Sequence, residues 1–256
     1  MGEMALLSEN QKSICEGSKI DFSDLKAVFF NCTLKPGDEA SHTDTLLDVV
    51  AEIFASQSVS MKRHRLSHYH LAPGVYPDMT EHGWERDDWP KLSPDVFDAD
   101  IIVIGTPIWL GEKSSLAQSL IEKLYAHSGE TNEAGQYAFY GKVGGCVVTG
   151  NEDGIKHVGA GILYAMQHVG LTIPPQADCG WIGEAGPGPS YGDEQDDGSR
   201  TGFDNEFTQR NTTFTAFNLL HAARMLKDAG GYPPVGNVAS EWESGKKPGW
   251  PNPEHR

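Results

Sequence analysis

Three short segments carry the groups in this chain that could do chemistry. The first, Asn31-Cys-Thr-Leu-Lys-Pro-Gly-Asp-Glu-Ala-Ser-His-Thr43, offers the hydroxyls of Thr33, Ser41 and Thr43 and the amine of Lys35 just ahead of a helical pattern. Hydroxyls, an amine and the free N–H groups of a helix start are what a phosphate needs. The second, Thr106-Pro107-Ile108-Trp109-Leu110-Gly111, sets a stiff proline and a large aromatic beside a glycine that permits close backbone approach. Such a segment suits a flat heteroaromatic ring, with side chains on one face and amides at the edge. The third, Thr149-Gly150-Asn151-Glu152-Asp153-Gly154, brackets polar groups with two glycines at another helix start, where N–H groups meet ring carbonyls. Singly, each also reads as ordinary structure: a capped helix, a packed tryptophan, a strand-to-helix turn. Neither G-x-x-x-x-G-K-[ST] nor G-x-G-x-x-G occurs.

These segments need elements to hold them. Ala27-Val-Phe-Phe-Asn31 is a run of β-formers and reads as a buried strand. Residues 43–55 place Leu46, Leu47, Val50 and Phe54 at helical spacing, with Ser41, Thr43 and Asp44 as start signals. Residues 59–66 suggest a second, more exposed strand, and 68–94 a long loop. Ile101-Ile-Val-Ile104 has no polar alternation, as expected of a strand covered on both faces. Helices are expected at 114–126, from 153 or 154 to 169, and at 207–229; further strands are expected at 143–148 and 171–173. Strands alternating with helices predict an α/β fold, a doubly wound five-stranded parallel sheet with helices on both faces. In such a sheet ligands bind beyond the carboxyl ends of the strands, where all three segments lie. Residues 1–24 read as an N-terminal extension, 25–230 as the domain with an insertion at 174–206, and 231–256 as a C-terminal arm.

Charge and composition exclude several classes. Twenty Lys and Arg against thirty-six Asp and Glu leave a net charge of −16, which repels nucleic-acid phosphates and anionic lipid. A phosphorylated ligand must therefore be held by local N–H groups against the global field. No apolar run approaches the roughly 20 residues of a spanning helix. The four cysteines, Cys15, Cys32, Cys146 and Cys179, form no C-x-x-C pair, so no metal cluster is indicated. With no signal-like start and no disulfide pattern, the expected location is the cytoplasm.

The first loop ending Ser41-His-Thr43, the segment Ile104-Gly-Thr-Pro-Ile-Trp-Leu-Gly111 followed by Lys113-Ser-Ser115, and Val148-Thr-Gly-Asn-Glu-Asp-Gly154 resemble the flavodoxin-like NAD(P)H-dependent FMN and quinone reductases, over residues 25–230. The resemblance implies a flavodoxin-like fold, FMN as cofactor and NAD(P)H as reductant. It implies that Ser41 and Thr43 bind the FMN phosphate with Thr33 and Lys35 as helpers. It implies too that Pro107, Ile108, Trp109, Leu110 and Gly111 frame the isoalloxazine, and that Thr149, Gly150, Asn151 and Gly154 line its other edge. The function implied is hydride transfer from NAD(P)H to FMN and on to a quinone, a flavin or another small acceptor, in a homodimer or homotetramer. The alternative is an electron carrier of the flavodoxin type; a third reading is a regulatory module with an empty site. No side chain is assigned as catalytic, and His42, His127, His157 and His168 are candidates only because histidine titrates near neutrality. The first loop is longer and more acidic than the family pattern. Trp181 and Tyr191 of the insertion suggest a lid or subunit contact, and Trp242 and Trp250 an interface arm.

Overall fold

The computed structural model describes residues 6–186 and 188–243. Five parallel strands form the sheet in the order β2(Ser60–Arg65), β1(Lys26–Asn31), β3(Ile101–Trp109), β5(Val143–Gly150), β6(Asp178–Ile182). A two-residue strand, β4(Glu112–Lys113), folds back antiparallel on the end of β3. The chain order reverses beside β1 and β3, which makes their carboxyl ends the switch point of a doubly wound sheet.

Each strand sends alternate residues to opposite faces. Phe29, Ile101, Val103 and Val147 pack beneath α1(Glu9–Gly17), α2(His42–Ser56) and α6(Glu206–Ala229). Phe30, Ile102, Ile104 and Cys146 pack beneath α3(Trp89–Asp98), α4(Ser115–Tyr125) and α5(Ile155–His168). Both faces of the central strands are thus covered, which is why β1, β3 and β5 read as unbroken apolar runs. Full burial of one such side chain contributes about 1.5–3 kcal/mol. The helices start where capping oxygens permit: Ser41 Oγ accepts from Asp44 N, Ser114 Oγ from Ala117 N, and Asn205 Oδ1 from Thr208 N.

The expected α/β architecture is present, with four departures. Residues 1–24 contain α1, capped by Ser8 and Gln11, with Leu7, Cys15, Phe22 and Leu25 buried in the core. The expected loop 68–94 includes the first residues of α3, where Trp89 is wholly buried. The short strand expected at 171–173 is only a bridge from Thr172 to Val143. The fifth strand is instead β6, inside the insertion, because Pro174 and Pro175 interrupt the ladder early and the chain re-enters it at Asp178. Trp242 lies in the short helix α7(Ala239–Glu243), whereas Trp250 falls outside the described residues.

One polar cluster is buried away from the strand ends. Asp87 accepts hydrogen bonds from the N–H groups of Ala72, Met79 and Trp89 and pairs with Lys123 Nζ at 2.6 Å. It anchors the 69–88 segment to α4.

Candidate functional site

The carboxyl ends of β1, β3 and β5 open into one cleft of about 1110 Å³. Hydrogen bonds between the loops define its rim. Thr43 Oγ1 at the start of α2 lies 2.7 Å from Thr149 Oγ1 at the end of β5. Ser114 Oγ donates to Cys32 O at 2.7 Å while its N–H bonds Thr106 Oγ1, tying α4 to β1 and β3. The backbone N–H of Leu110 donates to Glu152 Oε1 at 2.6 Å. Each loop is therefore fixed by another loop as well as by its own strand.

Of the residues singled out in the sequence, Thr33, Lys35, Ser41, Thr43, Pro107, Ile108, Trp109, Leu110, Thr149, Gly150 and Asn151 line this cleft. Gly111 and Gly154 do not. They pack against each other behind it, so close that a Cβ on Gly154 would lie 2.8 Å from Gly111 Cα. The expected turn at residues 106–111 is the end of β3 plus a tight hairpin, in which Leu110 and Gly111 both take positive φ (53° and 76°). That turn leaves Trp109 more than half exposed and Leu110 94% exposed on the rim.

The insertion supplies a wall that the strand-end loops alone do not. Ala185, Gly186, Gly188, Ser190 and Tyr191 face the cleft. Asn151 ties them down: its Nδ2 donates to Gly188 O at 2.9 Å, and its Oδ1 accepts from Ser190 Oγ at 3.0 Å. His42 Nδ1 donates to Tyr191 O at 3.1 Å, closing the wall against the first loop. Tyr191 is buried between Phe203, which stacks on it at 5.2 Å, and Trp181, which meets it tilted at 5.8 Å, and burial pushes its phenol pKa up. It is a neutral, fixed surface. Trp181 supports this wall from behind and does not line the cleft.

Leu34, Pro36 and Glu152 also line the cleft and were not singled out in the sequence. Glu152 sits inside a quoted motif, and its backbone partner 42 residues away is invisible before folding. Among the histidines of the described residues, His42 alone lines the cleft. His127 accepts from Trp89 Nε1 within the core, His157 pairs with Glu112 on the surface, and His168 packs beside Tyr164. Nucleophilic thiol chemistry is excluded for three cysteines. Burial raises the pKa of Cys32 and Cys146, and pushes Cys179 up to about 12.

The donor set has two ends. At one end are the Thr33, Ser41 and Thr43 hydroxyls, together with the backbone N–H groups of His42 and Thr43; these two N–H groups meet no acceptor among the described residues. That end fits a phosphate ester. The other, between residues 107–110 and 149–151, is lined by Pro107, Ile108, Trp109 and Leu110 opposite Thr149, Gly150 and Asn151, and this mainly apolar lining suits a planar ring system. These residues suit FMN on their own chemistry.

Comparison with known proteins agrees with this reading. Residues 25–178 match the family described as NADPH-dependent FMN reductase. The 8-demethyl-8-aminoriboflavin-5'-phosphate synthase of Streptomyces davaonensis is 31% identical over 209 residues, covering 80% of this chain and 79% of that protein. The crystal structure of RosB with the bound intermediate 8-demethyl-8-formylriboflavin-5'-phosphate superposes with a TM-score of 0.75 at 28% identity, covering 89% of this chain and 90% of that one. A protein of Mycobacterium bovis named divalent metal cation transporter MntH is 53% identical over 206 residues, 80% of this chain. The match spans only 30% of that protein's length, and among the described residues no helix is long and apolar enough to cross a membrane. With its three strand-end loops gathered on one cleft and residues 25–178 matched, the chain belongs to the NADPH-dependent FMN reductase family of flavin oxidoreductases.

Proposed function

We propose that this protein is an FMN-dependent oxidoreductase that takes hydride from NAD(P)H and delivers electrons to a quinone, a free flavin or another small aromatic acceptor. The observation that carries the reading is the meeting, in one cleft, of the Thr33, Ser41 and Thr43 donors with the apolar segment Pro107–Leu110. The chemistry FMN supplies when bound is two-electron acceptance from a nicotinamide and electron delivery onward.

The chain's own part is binding, orientation and exclusion of water. Ser41, Thr43 and Thr33 hold the phosphate together with the N–H groups opening α2, and Lys35 is near enough to help. Residues 107–110 support one side of the ring. Thr149, Gly150 and Asn151 present backbone to its edge, where negative charge grows on reduction. The wall ending at Tyr191 closes the cleft from the insertion side. Its volume of about 1110 Å³ exceeds the usual small-molecule site of about 300–1,000 Å³, leaving room for a second aromatic substrate beside the flavin. The exposed hairpin tip, Trp109 and Leu110, supports assembly into a homodimer or homotetramer.

The purified protein is expected to bind FMN and to lose the visible absorbance of the oxidised flavin on anaerobic addition of NADPH or NADH. Trp109→Ala should weaken FMN retention by about tenfold, the scale of losing an aromatic contact. Failure of both nucleotides to bleach a bound flavin would leave the electron-carrier alternative. A second reading is favoured by the likeness to the Streptomyces davaonensis synthase: a riboflavin phosphate could enter the same cleft as substrate. Flavin recovered chemically altered after turnover distinguishes it.

A further inference from the structure

The first loop presents an electrostatic difficulty. Residues 33–40 carry Asp38 and Glu39, in a chain of net charge −16, beside the end of the cleft that suits a phosphate. Basic side chains hold its carbonyls, Arg65 and His68 from the far side and Lys35 from within the loop. Arg65, at the end of β2, donates from Nη2 to Glu39 O at 2.7 Å and to Lys35 O at 3.2 Å. Its Nε donates to Ser67 Oγ at 3.3 Å, which fixes the fork. His68 Nε2 donates to Gly37 O at 2.8 Å, and Lys35 Nζ to Ala40 O at 2.7 Å. Four loop carbonyls are thus held by basic side chains. Glu39 is paired with Lys35 at 3.6 Å and Asp38 with His68 at 3.7 Å.

A trans peptide is planar, with its N–H opposite its C=O. Pulling the Gly37, Glu39 and Ala40 carbonyls toward the basic groups therefore points the N–H groups of Asp38, Ala40 and Ser41 away from them. None of these three N–H groups meets an acceptor among the described residues, and of the three residues Ser41 lines the cleft while Asp38 and Ala40 do not. Arg65 lines a separate polar hollow of about 440 Å³ together with Asp38 and His68, and it does not line the cleft. The loop is the partition between the two.

We propose that Arg65 is a positioning residue for the phosphate end of the cleft: by holding the Lys35 and Glu39 carbonyls from behind, it turns the carbonyl of the cleft-lining Lys35 away from a phosphate monoester and fixes the loop that carries the Thr33 and Ser41 donors. The proposal rests on the reading of that end as the phosphate site. Arg65 touches no ligand; it sets the discrimination between a flavin that carries a phosphate and one that does not.

The test is fluorescence titration of the apoprotein with FMN and with riboflavin, which lacks the phosphate. The wild-type protein is expected to bind FMN at least about tenfold more tightly than riboflavin, a gain that comes from preorganised donors. In Arg65→Ala the FMN dissociation constant should rise about tenfold while that for riboflavin stays within about twofold, collapsing the preference. Arg65→Lys keeps the charge but cannot reach both carbonyls with a planar fork, so it should fall between them. It also carries the comparison should Arg65→Ala fail to fold, as judged by its circular dichroism melt. Equal weakening of both flavins, or no change in either, overturns the proposal and leaves the phosphate reading in place. A wild-type protein that binds the two flavins equally overturns the phosphate reading itself, and the role of Arg65 with it.

Discussion

Replacing Lys123 by methionine is expected to lower the unfolding free energy by about 3–5 kcal/mol, the cost of leaving a buried carboxylate without its counter-ion. The Lys123 and Asp87 side chains are 1% and 0% exposed, and their charges meet at 2.6 Å. Three backbone N–H groups also point at Asp87, so its carboxylate is well solvated by protein as long as the ammonium is present. Methionine fills the space of lysine but supplies no charge, and water has no path to replace it. The partners matter equally. Asp87→Leu leaves the Ala72, Met79 and Trp89 N–H groups without an acceptor and strands the ammonium. The two changes share one network, so the double variant should cost less than the sum of the singles. Urea denaturation checks this: the midpoint should fall with the slope unchanged. FMN affinity of the folded Lys123→Met protein should be unaltered, because no member of the cluster lines the cleft. A loss below about 1 kcal/mol would mean that the pair behaves like an exposed surface bridge.

How much of this was legible beforehand depends on whether the signal was local. The strand Ile101-Ile-Val-Ile104 is apolar on both faces, and that pattern alone places it in the sheet centre. The loops leaving β1, β3 and β5 were legible for the same reason: strand ends are marked by composition, and parallel order brings them to one rim. Eleven of the thirteen residues singled out do line the cleft. Gly111 is expected from the sequence to frame the isoalloxazine and Gly154 to line its other edge; the structure instead packs the two against each other, off the cleft lining.

Tertiary pairing was not legible. Strand β6 begins after Pro174-Pro175 in a stretch rich in glycine, and nothing in Asp178-Cys-Gly-Trp-Ile182 marks it as a strand until β5 lies beside it. Asn151 bonds Gly188 O, 37 residues away, and His42 bonds Tyr191 O, 149 residues away. A polar side chain that satisfies a distant carbonyl has no periodicity to betray it. Helix α1 is similar: its sequence is polar, and only packing of Leu7 and Cys15 against the core reveals its buried side. Arg65 belongs to this class too, since its partners are carbonyls 26 and 30 residues earlier, of which a sequence carries no trace.

Gly154→Ala should be the most damaging single-methyl change at the site. Gly154 is the N-cap of α5 with φ 128° and ψ 2°, a conformation that L-residues rarely adopt. A Cβ there would lie 2.8 Å from Gly111 Cα, 2.8 Å from its carbonyl oxygen and 3.1 Å from its carbonyl carbon. All three are backbone atoms, so no side chain can swing aside. The third loop must move away from the hairpin, stretching the Leu110 N–H bond to Glu152 that joins them. Strain and overpacking together should cost on the order of 2–4 kcal/mol of stability. FMN affinity should fall by about a hundredfold, the scale of a 1 Å misplacement of a binding wall. Gly111→Ala provides the contrast. Its φ of 76° is left-handed, but a Cβ there meets only Asp153 O at 3.9 Å, an ordinary contact. It should cost about 1–2 kcal/mol and reduce FMN affinity by less than about tenfold. Thermal melts of the apoproteins and flavin titrations of both variants decide the matter. Equal losses in the two would show that backbone conformation alone governs this junction; a much larger loss for Gly154→Ala shows that the close approach of the two loops sets the width of the flavin slot.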